Sequence, residues 1–368
     1  MGTEKIGKIE AIFLILSFII NLIILSLPRI IISTSGSASI INTVYISIIA
    51  LIIVLLIYKL LSAFPGQDVL DISLFLGGKS FKIIVGSLFI IFFLFTAFSV
   101  LKSFSETLNT IYYYTTPPYF VTGVFCIIIA YACSLGFKAI SRANVLILPL
   151  SILSIFLLLI FNMRFFTFER IFPILGYGIN ETFFSGLQNL VAFGNIAIIY
   201  FLPSILKDSN ELKKASVWAI IWSSICLFIS VLTILLLFSY IGQSHGIMPF
   251  YLASREIEFG RFFQRLDAVF ILIWTISIVC FLSILVLLAI KILKNLTNIQ
   301  NSRFIAITFS IILFIAGLIP KNIYEIFFIE NSLYKNFVIL FIFIFNILIL
   351  LFANFKKLNK EAQIAKKN

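Results

Sequence analysis

The stretch from Pro173 to Pro203, PILGYGINETFFSGLQNLVAFGNIAIIYFLP, constrains this chain more than any other. Its second half is apolar enough to cross a bilayer. Phe193, Gly194 and Asn195 nevertheless fall at mid-depth, where an unbroken helix gains nothing from glycine or asparagine. A helix interrupted there frees backbone N–H and C=O groups, and hydrocarbon offers them no partner. Such groups must bond within protein or to a ligand, so the interruption is a candidate binding site. The plainer reading of the same residues is close helix packing at Gly194 and a bond across a helix interface from Asn195.

The rest of the chain is the same kind of material. It is 61% hydrophobic and only 11% charged, with a mean hydropathy of +1.16, whereas soluble domains carry roughly 25% charged residues. Apolar runs predict ten spans, near 9–33, 40–63, 81–101, 119–135, 144–162, 182–206, 216–241, 266–290, 304–319 and 336–355. The expected fold is an all-α polytopic membrane protein of about ten transmembrane helices, a single integral domain over 1–368 ending in a basic tail, 356–368. Ten spans put both termini on one side.

A net charge of +12 raises the question of a nucleic-acid partner, but the basic residues follow the loops. With the N-terminus inside, about two thirds of the 27 Lys and Arg lie on the cytoplasmic side, which is the positive-inside bias. The expectation is cytoplasmic termini, contact with membrane lipid and no nucleic acid. The run after Lys5 and Lys8 is too long for a signal-peptide core. Enzymatic chemistry has little to work with. His245 is the single histidine; Cys126, Cys133, Cys226 and Cys280 lie singly within spans, and there is no GxSxG. No metal site, cofactor or catalytic residue is expected.

Span one is also interrupted. Ser17 and Asn21 precede Pro28, which removes a helical donor and clashes with the preceding turn. Spans one to five and six to ten thus form two similar fives, 8–162 and 173–355, each opening on an interrupted helix. Five spans reverse the direction of entry, so the halves are expected to be inverted repeats whose discontinuous helices, one and six, meet at the midplane. On span three, Thr96, Ser99 and Ser103 put three hydroxyls on one helical face, a candidate cavity wall. No obvious carboxylate occupies a span centre, so the sequence gives no sign of proton coupling.

Several motifs together carry a family resemblance. PILGYG at 173–178, FGN at 193–195, and MPFYLASREIEFGRFFQRLDAVFILIW at 248–274, with Phe64-Pro65, Thr116-Pro117 and the turn from Gly136 to Arg142 in order, resemble the B-subunit permease family of endospore germination receptors. The resemblance implies the ten-helix fold of amino acid, polyamine and organocation transporters. It further implies a place in the spore inner membrane beside an A subunit and a lipoprotein C subunit, and detection of a nutrient germinant. Relatives often carry an acid after the FG of span six, where this chain has Asn195.

The expected ligand is a small molecule such as an amino acid. Half-helix N-termini suit its carboxylate, and Ser17, Asn21, Leu22, Phe98, Ser99, Phe193, Gly194, Asn195 and Thr275 are the candidate contacts. Pro28, Arg142, Arg265 and Asp267 are structural or gating candidates. Two functions remain open: a germinant-sensing receptor subunit that passes a conformational change to partners, and a secondary amino acid transporter working by alternating access.

Overall fold

The computed structural model describes residues 5–208, 210–240, 249–257, 266–297, 299–320 and 323–365. Hydrocarbon leaves backbone polar groups only each other, and the chain accordingly folds as helices. In order they are α1 (Lys8–Leu25), α2 (Leu27–Ser35), α3 (Ser39–Leu61), α4 (Val69–Ile111), α5 (Pro118–Leu135) and α6 (Phe137–Asn162). A π-turn (Asn180–Phe184) then leads into a 3-10 helix (Ser185–Tyr200). After it come α7 (Leu202–Ile205), α8 (Glu211–Leu237), α9 (Pro249–Arg255), α10 (Leu266–Leu296), α11 (Ser302–Leu318) and α12 (Ile323–Ile329). The last helix continues through π-helical Glu330–Tyr334, α13 (Lys335–Phe337) and π-helical Val338–Phe345 into α14 (Asn346–Ala365).

Among the described residues nine helices are long and apolar enough to cross a membrane, and α11 is a shorter tenth of 17 residues. The ten expected spans are all found as helices. α1, the 3-10 helix and α10 are the most enclosed. Ile48 and Ile52 on α3, Ile91 on α4, Ile127 on α5 and Leu146 and Leu150 on α6 are exposed, giving the bundle an apolar outer surface suited to lipid.

Helix one breaks at Ser26, whose φ of −147° and ψ of −18° are not helical. Pro28 explains the position: it cannot donate to the carbonyl four residues back, but it is tolerated in the first turn of the new helix α2. The second discontinuity takes another form. Residues 185–200 hold 3-10 geometry throughout, and 16 residues at about 2.0 Å each extend roughly 32 Å, enough to cross the hydrocarbon with fewer residues than an α-helix needs.

The PILGYG loop packs into the corner between α2 and α3. Ser37 donates to the Pro173 carbonyl. Gly176 has φ +55°, and a Cβ there would lie 2.0 Å from the Ser35 carbonyl oxygen. On the side of the bundle that holds the N-terminus, Ile6 pairs with the end of helix six, its N–H bonding Ile205 O at 3.0 Å and its carbonyl accepting from Lys207 N at 3.1 Å. Beside this clasp, buried Asp68 caps α4, its Oδ1 accepting from Leu70 N and Asp71 N at 3.0 and 3.2 Å. Lys291 donates to Ser204 at 3.0 Å. Burial, and next the charge of Asp71, hold the Asp68 carboxyl above its ordinary range, while Lys291 pulls it down.

Two measurements test these joints. Gly176→Ala forces a methyl into a carbonyl at a left-handed φ and should cost about 2 kcal/mol or more, seen as a lower melting midpoint in detergent; an unchanged midpoint contradicts the packing. Lys291→Met leaves the buried Asp68 without its counter-charge and should cost roughly 2 kcal/mol, most of it recovered when Asp68→Asn, which can still cap the helix, is added. The Asp68 carboxyl is raised in the folded state. Stability should therefore rise as pH falls through its folded pKa towards the ordinary carboxylate range, and Asp68→Asn should remove that component.

Candidate functional site

The break in helix one, the hydroxyl face of α4, helix six and the last helix converge on one small cavity of about 40 Å3. That is room for a few waters or a small head group. Leu22, Ser26, Leu27 and Ile30 line it from both sides of the break, Thr96, Ser99 and Val100 from α4, and Val191 from the 3-10 helix; Glu330, Tyr334 and Lys335 come from the π-helical part of the last helix. The walls are mainly apolar, and the polar groups are concentrated on α4 and the last helix.

Glu330 is the main residue that the apolar runs do not predict, since they place span ten near 336–355. In the structure the last helix starts at Ile323, and Glu330 Oε1 accepts from Ser99 Oγ and, at 3.4 Å, from Ser103 Oγ. A carboxylate therefore stands inside the bundle, one turn before the apolar span Lys335–Lys360 rather than at a span centre. A signal existed in the hydroxyl face of α4: Ser99 and Ser103 both donate to Glu330, and Thr96 lies 3.3 Å from the Tyr334 hydroxyl. Three hydroxyls on one apolar face call for a polar partner, but the pattern does not say which helix supplies it.

Tyr334 carries the network to helix six. Its hydroxyl donates to Asn195 Oδ1 at 3.5 Å, and Asn195 Nδ2 donates to the Phe18 carbonyl of α1 at 3.3 Å. Gly194 has a packing role: a Cβ there would lie 2.4 Å from Val338 Cγ1. Tyr200 closes the same interface by donating to the Ile342 carbonyl at 2.8 Å. Both halves of the plainer reading of FGN thus hold, and Asn195 also touches the site through Tyr334.

The remaining candidates are distributed as follows. Leu22 and Ser99 line the cavity. Ser17 donates to Leu14 O and Asn21 Nδ2 to Ser17 O, both at 2.8 Å within α1, while Asn21 Oδ1 is buried without a hydrogen bond among the described residues. Phe193 is fully buried. Phe98 packs against Phe95, ring centroids 5.8 Å apart, and Thr275 donates to Ile271 O at 2.7 Å along α10; neither lines the cavity. Pro28 starts α2. Exposed Arg142 meets half-buried Glu10 at 3.5 Å, a pair of the kind that contributes little. Buried Asp267 accepts from Tyr112 at 3.1 Å, tying the start of α10 to the end of α4; Arg265 lies outside the described residues. No cluster of three His, Cys, Asp or Glu suited to a metal occurs among the described residues.

Comparison with known proteins places this architecture. Two solved structures share the fold across 92% of this chain: a substrate-bound, outward-open Na+-coupled sialic acid symporter (TM-score 0.61, 12% identity, 76% of its length) and the inward-facing conformation of Mhp1 (0.60, 13%, 74%). Among curated sequences from Bacillus subtilis (strain 168), spore germination protein B2 is 22% identical over 273 residues, 74% of either chain, and spore germination protein YndE is 21% identical over 278 residues, 75% of this chain and 77% of its own. Spore germination protein KB is 25% identical over 189 residues, about half of each chain. The family model for spore permeases, described as spore germination protein, matches residues 5–326. With its apolar helices and this match over most of its length, the chain is an integral membrane protein that belongs to the spore germination protein family.

Proposed function

We propose that this chain is the nutrient-sensing subunit of a spore germination receptor and that it binds a small molecule such as an amino acid at the cavity between helices one, three, six and ten. The observation that carries the reading is the convergence of three departures from α-helical geometry on a cavity with a charged and hydroxylated end, in a chain of this family. The N-terminus of α2 borders the cavity and suits a ligand carboxylate. Binding acts by favouring one arrangement of helices six and ten, and the shift passes to an A subunit and a lipoprotein C subunit in the spore inner membrane. The bias of basic residues supports cytoplasmic termini. The order of spans supports inverted halves at 8–162 and 173–355, with 356–368 as a cytoplasmic tail.

The second reading is a secondary amino acid transporter working by alternating access. Its support is the fold shared with a Na+-coupled symporter. The two readings separate in one experiment: spores lacking this chain are tested against single amino acids, sugars and nucleosides. Loss of response to one nutrient class, restored by the wild-type chain, is the expected result. Normal germination with lowered uptake of a labelled amino acid in growing cells would favour the transporter.

The contact between helices six and ten supplies a finer test. Gly194→Leu should abolish the nutrient response while the protein remains in the membrane. Gly194→Ala should weaken it, and adding Val338→Ala, which makes room for the methyl, should restore it. A normal response in Gly194→Leu spores would remove helix six from the sensing mechanism.

A further inference from the structure

We propose that Glu330 makes this cavity a receptor for a small N–H cation, the ammonium head group of the ligand. The inference rests on the sensing reading above and adds to it the ligand chemistry and the residue that selects it.

The hydrogen-bond inventory leads to this assignment. Both hydroxyl donors, Ser99 and Ser103, go to Oε1, and among the described residues Oε2 receives none. A carboxylate accepts at both oxygens, and in an apolar wall the vacant one is costly unless a donor arrives. An ammonium group brings up to three donors and the opposite charge in a volume close to that of water. The cavity, about 40 Å3, accepts such a head group.

The surrounding cations do not remove the need. Lys335 lines the same cavity but makes no ion pair with Glu330 within 4 Å, the described pairs being Lys102–Glu106 and Glu10–Arg142. Lys335 and the N-terminus of α2, which line the same cavity, put positive potential beside the carboxylate, so the site offers a place for each end of a zwitterion. An isolated amine meets only one of these complements. An amino acid and the free ammonium ion share the N–H cation, and they differ in whether the positive side of the site is used.

Four probes decide the matter on the purified full chain in lipid nanodiscs, by titration calorimetry at matched ionic strength: L-alanine, propionate, ethylamine and ammonium chloride. The proposal predicts that L-alanine binds at least tenfold more tightly than propionate, that Glu330→Gln removes at least tenfold of the L-alanine affinity, and that Glu330→Asp retains most of it. Competition by ethylamine alone marks an organic amine as the recognised group, and competition by both amines marks the N–H cation itself. Equal binding of L-alanine and propionate by the wild type, a comparison that needs no variant, overturns the proposal, as does binding of none of the N–H probes. L-Alanine binding that survives Glu330→Gln but is lost when Ser99→Phe fills the cavity overturns the role of Glu330 and leaves the cavity as the site. Binding that survives both variants overturns the sensing site as well.

Discussion

Every backbone N–H and C=O in the hydrocarbon layer must be satisfied by protein, and this requirement governs the whole structure. Where α-geometry holds, the helix satisfies itself and its outer surface can be pure Ile, Leu and Phe. Where α-geometry fails, other groups must lie close by. Among the chain's departures from that geometry are Ser26, Ser185–Tyr200 and the π-helical stretches Glu330–Tyr334 and Val338–Phe345. The first three of these border one cavity, and Asn195, Tyr334, Ser99 and Glu330 are found where they meet.

Helices six and ten are unusual in opposite senses. Six is overwound and ten is partly underwound, and they pack so closely at Gly194 and Val338 that even a methyl does not fit. Hydrogen bonds from Tyr334 and Tyr200 fasten the two at separate points of the contact. Tight interfaces of this kind move as units, because a packed surface has few intermediate arrangements. Glu330 is linked to helix six by Tyr334, one turn on in the same helix, and from there to helix one by Asn195, whose amide holds the Phe18 carbonyl. At the other end, the clasp between Ile6 and Ile205 joins helices one and six again.

Much of this was legible in the sequence. Ten apolar runs, Pro28 and the FGN of span six fixed the class of fold and drew attention to helices one and six, because hydrophobicity and backbone-breaking residues act locally. Three features were not legible. Pro28 pointed to the interruption but not to its exact turn, Ser26. Asn21 and Ser17 bond within their own helix, and a sequence cannot distinguish that from an offer to a ligand. Glu330 escaped because hydropathy marks the apolar part of a helix, and the last helix begins before that part does. Gly194 was ambiguous for another reason: a glycine that permits ligand approach and one that permits helix approach look identical until Val338 is seen beside it.

If the three non-α segments form one ligand site, a bound nutrient protects them together. Hydrogen exchange on the purified chain in nanodiscs, with and without the nutrient to which its spores respond, measures this directly. Bound nutrient should slow exchange together at residues 22–30, 185–200 and 330–345 while the lipid-facing turns of α3 and α5 stay unchanged. Protection confined to other segments, or none at a concentration that triggers germination, would contradict the account.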